Sequence, residues 1–219
     1  MDDQTSQIAR GLLDIGAVFF RPDDPFIWAS GIKSPVYCDN RLILSSPKLR
    51  DLVEDALTLL VERAFPEAEV IMGTATAGIA HAALIADRLG IPMGYVRSSN
   101  KDHGRKNQIE GKLEAEAKIV VVEDLISTAG SVLDAVNTLK DVGADVIGVA
   151  SIFSYGMKEA QRRFEEAELV ARSLVLFDDI VQVAADVGFI KPTDVAKLLE
   201  FRDDPSNESW MECKENVCG

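Results

Sequence analysis

The chemistry-bearing residues crowd into one short stretch. Glu123 and Asp124 stand side by side, and Ser127, Thr128 and Ser131 follow within the same IVVVEDLISTAGS segment. Hydroxyls and the backbone N–H groups of a small-residue turn are donors suited to an anion such as a phosphate. Two carboxylates beside that anion would repel it unless they bind something else. They could grip sugar hydroxyls, or hold a divalent cation that neutralises phosphates. A ligand carrying a phosphate, a ribose and a metal-bound pyrophosphate would satisfy every group at once. The plainer alternative is a buried strand ending in a solvated acidic turn.

Such a cluster needs elements to position it. Ile119, Val120, Val121 and Val122 form a β-branched apolar run, the pattern of a strand buried on both faces. Ser127 to Ser131 then lead into a helical pattern from Val132 to Val142, which Gly143 ends. In open α/β sheets, ligands bind at the carboxyl ends of strands, and the following helix N-terminus favours an anion.

The flanking sequence repeats this alternation. Strands are expected at 70–72, 94–96, 145–152 and 173–177. Helices are expected near Ile8–Ile15, Leu49–Val61, along the Ala-rich stretch before Gly90, and over 161–168, 180–187 and 193–201, the last capped by Thr193. Strands alternating with helices imply a parallel sheet with right-handed crossovers. Gly73 and Gly78 have the spacing that opens a nucleotide-triphosphatase loop, but Ile79 stands where its lysine belongs, so that function fails. A backbone-lined anion turn remains there. His81 reads as a packing or surface residue.

A second stretch carries charge. From Arg97 to Lys106 there are four cations (Arg97, Lys101, Arg105 and Lys106) against Asp102, within a chain whose net charge is −13. The segment through Gly111 is nearly devoid of apolar residues and is expected to be a mobile cationic lid. A solvated basic loop is the alternative. Upstream, three prolines forbid a helix across 19–41. Phe26–Trp28 and Val36–Cys38 read as two strands of a hairpin with a turn at Ser30–Gly31. Lys33 and Arg41 put cations beside Tyr37, which suits a planar anion or simply a solvated surface.

The length of 219 residues, 47% of them hydrophobic, allows one domain with a full core and a small subdomain. The acidic balance argues against nucleic acid as a partner. No apolar run approaches the ~20 residues that span a bilayer. The N-terminus lacks the order of a secretion signal. Three cysteines (Cys38, Cys213 and Cys218) without CxxC spacing suggest a reducing, cytoplasmic location. The expected division is 1–45 for an N-terminal helix and hairpin, 46–201 for the core, and 202–219 for a polar, frayed tail.

VVVEDLISTAGS resembles the phosphoribosyl pyrophosphate (PRPP) motif of type I phosphoribosyltransferases. FIWASGIKSPVYCDNR, with SGIKSP before an aromatic, and KDHG inside the basic segment resemble the orotate branch of that family. The likeness runs from about Phe19 to Tyr155. It implies an α/β fold of the type I phosphoribosyltransferase kind, a central parallel sheet flanked by helices, with a small N-terminal hood over the base. It implies transfer of the phosphoribosyl group of PRPP to orotate, giving orotidine monophosphate and pyrophosphate. The alternatives are another acceptor base, or a non-catalytic PRPP sensor with the same fold. Carried over residue by residue, Arg97, Lys101 and His103 match positions that hold pyrophosphate. Glu123, Asp124, Leu125, Ile126, Ser127, Thr128, Ala129, Gly130 and Ser131 match the loop that holds the ribose and its phosphate. Ser127 also matches an orotate contact. Lys101 and Asp124 are the residues the resemblance marks as catalytic. It further implies Mg2+ carried mainly on PRPP rather than in a protein cage, and a homodimer whose lids are shared between subunits. Ala29, Ala77 and Tyr155 stand where some members carry a Lys, a Lys and an Arg.

Overall fold

The computed structural model describes residues 2–28, 31–98 and 108–211. Lys101, His103, Ala29, Cys213 and Cys218 lie outside them.

The apolar runs form a six-stranded sheet. It comprises β5 (Val70–Thr74), β6 (Met93–Val96), β7 (Ile109–Glu110), β8 (Lys118–Ile126), β9 (Asp145–Ser154) and β10 (Ala171–Leu176), in spatial order β10-β9-β8-β5-β6-β7. All neighbours are parallel except the edge pair β6–β7. β7 was not expected. It consists of two residues, with Tyr95 opposite Glu110 and Val96 opposite Ile109, too short to leave a periodic pattern.

The run at 119–122 behaves as a doubly buried strand should. Val120 and Val122 enter the core on one face, and Ile119 and Val121 enter a separate core on the other. The first face is covered by α1 (Asp3–Asp14), α2 (Pro47–Ala64), α3 (Ala77–Leu89), α6 (Phe177–Asp186) and α7 (Asp194–Asp203). The second is covered by α4 (Gly130–Lys140) and α5 (Lys158–Glu166). Proline opens α2 at its first position, and Gly90 ends α3 with a left-handed conformation. Thr193 precedes α7 but makes no side-chain capping bond, because its backbone is already helical.

The proline-rich region folds as a two-step hairpin. At its base β1 (Val18–Phe20) pairs with β4 (Val36–Cys38), and at its tip β2 (Phe26–Ile27) pairs with β3 (Lys33–Ser34), both antiparallel. A 3-10 helix, Asn40–Ser45, leads on to α2. The chain after Phe201 is not frayed as far as Met211. Arg202 and Asp203 finish α7, and Glu208–Met211 form a 3-10 turn with Trp210 1% exposed. Polar neighbours hid this anchor in the sequence. No helix among the described residues is long and apolar enough to cross a membrane.

Candidate active site

Strand β8 runs four residues past the valine core and carries both acids within it. Consecutive strand residues face opposite ways, so the two carboxylates are not equivalent. Glu123 is buried at 7% exposure, whereas Asp124 is half-buried. Burial holds the Glu123 carboxyl protonated up to about pH 8, and the negative charge of Asp124 adds to the effect. The Thr74 hydroxyl and the Asp124 amide, which donates to Glu123 Oε1 at 3.1 Å, oppose it only in part.

The strand then turns through Ser127 and Thr128 to Ala129, whose φ of 63° is left-handed, and α4 starts at Gly130. No side chain caps that helix start. Its first amides face the turn, with the partial positive end of the helix behind them. Arg163 of α5 lies close to the turn. A Cβ at Gly130 would stand 3.3 Å from the Arg163 guanidinium.

A second strand-to-helix turn, Thr74–Ala77, sits beside the first, because β5 and β8 are neighbours. The peptide between Ala75 and Thr76 is cis. Gly78 brings α3 hard against β8. A Cβ there would overlap the Val122 carbonyl oxygen and lie 2.6 Å from Thr74 Oγ1. Thr74 Oγ1 also donates to the Val122 carbonyl at 3.2 Å. Arg97 follows β6 and forms an exposed pair with Glu110 at 3.2 Å. A cleft of about 440 Å3 joins Thr74, Ala75, Arg97 and Ser98 to Ser131 on α4.

A further cleft, about 320 Å3, lies on the other side of the turn. There Thr128 faces Trp28 and Ile32 of the hairpin, Lys158 at the start of α5, and the 202–206 segment. The structure thus brings Arg97 and Ser131 to one cleft and Thr128 to another, while Glu123 and Asp124 on β8 line neither. Lys101 and His103 fall outside the described residues.

The hairpin cations lie at the surface in ion pairs. Arg41 forms a two-pronged pair with Asp39 at 2.6 and 2.7 Å, and Lys33 pairs with Glu208 at 2.9 Å. Neither is an unpaired cation waiting beside Tyr37. Tyr155 is no substitute ligand either. It is 3% exposed and packs against Phe153, Phe177 and Trp28, with ring centroids 5.1, 5.7 and 5.9 Å away, and burial pushes its hydroxyl pKa far up. An arginine could not occupy that aromatic core without losing its solvation.

Three supporting residues left little trace in the sequence. Asn40 is fully buried, and its Nδ2 donates to the Asp124 carbonyl at 2.7 Å, across 84 positions. The Cys38 thiol donates to Asn40 Oδ1 at 3.3 Å, linking the hairpin to the acid pair. His81 is buried, its Nδ1 2.5 Å from Glu54, and clamps α3 to α2. Only the run of small residues around Gly78 could have signalled the close α3–β8 approach.

The phosphoribosyl transferase domain family matches residues 41–185. A protein named orotate phosphoribosyltransferase from Bacillus pumilus is 54% identical over 207 residues, covering 94% of this chain and 98% of that protein. One of the same name from Bacillus cereus is 51% identical over 205 residues, with the same coverage. The crystal structure of orotate phosphoribosyltransferase from Aeropyrum pernix superposes with a TM-score of 0.73 at 27% identity, covering 84% of this chain and 99% of that one. With its strand, acid pair and phosphate-type turn in the order the sequence implied, the chain belongs to the orotate phosphoribosyltransferase branch of the phosphoribosyl transferase family.

Proposed function

We propose that the chain transfers the phosphoribosyl group of PRPP to orotate, releasing orotidine monophosphate and pyrophosphate. The observation that carries this reading is the Ser127–Ser131 turn, open to a phosphate at an uncapped helix start directly after the Glu123–Asp124 pair. A ring nitrogen of orotate bonds to the anomeric carbon as the bond from that carbon to the pyrophosphate oxygen breaks. The oxygen keeps the electron pair, and the ring N–H proton passes to the departing pyrophosphate or to water. The ribose carries positive charge in between, so stabilising the departing anion and excluding water do most of the work.

The roles divide along the fold. Leu125 and Ile126 carry the strand into the turn. The amides of Thr128 to Ser131 and the hydroxyls of Ser127, Thr128 and Ser131 hold the ribose phosphate. Asp124, half-buried, accepts from one ribose hydroxyl. Glu123, neutral at pH 7, can donate to another, so the two acids do different jobs by virtue of burial. Ser127 reaches orotate. Arg97, Lys101 and His103 hold the pyrophosphate. A homodimer with shared sites and a cytoplasmic location belong to the same reading.

The acid pair also bears on a metal. Among the described residues there is no cluster of three or more metal-ligating side chains. With Glu123 buried and neutral, Asp124 is the acid that would reach Mg2+, directly or through water, with substrate oxygens holding most of the ion. Bound there, it would neutralise the leaving pyrophosphate. Pyrophosphate release measured with PRPP and orotate, adenine or uracil tests the reading. Release is expected with orotate alone. Release with another base, or with none, would contradict it.

A further inference from the structure

The hairpin tip and the C-terminal segment are held to one another by several independent contacts. Trp28 packs edge-on between Tyr155 and Phe201, each ring centroid 5.9 Å away. Phe201 in turn meets Trp210 edge-on at 5.8 Å. Trp210 is 1% exposed, although it lies in a polar stretch only one residue from the last described position. Lys33 on β3 reaches Glu208 at 2.9 Å, and Lys197 on α7 reaches Asp23 at 3.5 Å. The hairpin itself is weakly built, with only two residue pairs joining β2 to β3. A two-stranded ribbon of that size is not stable alone. Its tip is therefore positioned from outside, by Tyr155 of β9 and by the segment from Phe201 to Trp210.

That segment also borders the cleft beside Thr128. The cleft between Trp28 and Thr128 is walled on its far side by residues 202–206. We infer that the C-terminal segment, through Trp210 and Phe201, positions Trp28 and so sets the shape of the base subsite. This rests on the orotate reading above. Trp210 and Phe201 are positioning residues; nothing in the geometry puts them against substrate. Misplacing a binding wall by about 1 Å costs up to ~10²-fold, and the cost falls on the ligand whose wall has moved. The ribose phosphate turn is fixed separately by β8 and α4, so PRPP binding should not follow.

Three variants test the inference. Trp210→Ala is expected to raise the KM for orotate about tenfold while leaving the KM for PRPP within about twofold, and Trp210→Phe should restore most of the loss. The chain has two tryptophans, so Trp28 is the only one left in either Trp210 variant and is selected over the tyrosines by red-edge excitation. Acrylamide quenching of Trp28 should be about twice as strong in Trp210→Ala as in Trp210→Phe, because Trp28 loses its packing. Glu208→Lys leaves the core intact and sets like charges against each other at Lys33. It should raise the orotate KM about threefold, PRPP again unmoved. Equal shielding of Trp28 in the two Trp210 variants, or both KM values moving together, would overturn the inference. If Trp210→Ala does not fold, an unchanged orotate KM in Glu208→Lys overturns it. Failure of the wild-type protein to use orotate would instead strike the functional reading, since the quenching comparison needs no substrate.

Discussion

Two strand-to-helix turns stand side by side at the carboxyl edge of the sheet, and they have opposite designs. The turn after β5 is compressed. Gly78 lets α3 press onto the Val122 carbonyl, Thr74 bonds to that same carbonyl, and the buried His81–Glu54 pair locks the helix from behind. The turn after β8 is open. It has a left-handed Ala129 and three flanking hydroxyls, although neither helix start carries a side-chain cap. The same local topology thus yields a buttress in one place and a receptor in the other. What separates them is how closely the following helix presses on the neighbouring strand and which side chains line the turn.

The comparison extends to charge. Ala77 puts no cation on the compressed turn, so the proposed function assigns the pyrophosphate's cations to the basic stretch from Arg97 to Lys106. Lys101→Ala should therefore fold normally and lose about 10²-fold in kcat, the scale of a lost transition-state donor. Mixing it with Asp124→Ala subunits should recover part of the activity through hybrid dimers. Steady-state rates near wild type, or no recovery after subunit exchange, would break this division of labour.

The buttress itself is tested by Gly78→Ala. The added methyl overlaps backbone rather than a flexible side chain. Thermal unfolding should show a loss of about 1–3 kcal/mol, with PRPP affinity falling as β8 shifts. An unchanged melting temperature would mean that the α3–β8 contact is looser than its geometry.

Glu123 separates the two sides by pH. Its folded pKa of about 8 lies above its ordinary 4.5. Between those values the folded state binds a proton that the unfolded chain does not, so stability falls as pH rises through the window and levels off above it. Glu123→Gln should flatten that slope and unfold at a higher temperature than wild type at pH 8. Parallel curves for the two proteins would show that the carboxyl is ionised throughout. The smallest effect is expected at Ala129. Glycine accepts a φ of 63° without the Cβ conflict, so Ala129→Gly should stabilise by at most about 1 kcal/mol, measured by urea unfolding at neutral pH. A clear destabilisation would place the turn in another conformation.

What the sequence disclosed, and what it concealed, follows from contact distance along the chain. The open turn was readable because its strand, acids and hydroxyls are contiguous and its core pattern is unbroken from Ile119 to Val122. The parallel order of the sheet followed from strands alternating with helices. Asn40 was invisible because its one decisive bond is to Asp124, 84 residues away. Trp210 was invisible because a single aromatic in a polar stretch has no period. Its burial depends on Phe201 arriving from α7. Lys33 and Arg41 read by type either as anion ligands or as solvated surface cations. Asp39, the partner of Arg41, is two residues away, whereas Glu208, the partner of Lys33, lies 175 residues along the chain. β7 escaped because two residues borrow their strand geometry from β6.

The measurement closest to the central claim is a crystal structure of the protein with PRPP and magnesium. The ribose phosphate should lie on the amides of residues 128–131, with the pyrophosphate towards the Thr74–Ala77 turn and Arg97. A ribose phosphate seated on the compressed turn instead, or away from the carboxyl end of β8, would contradict the account.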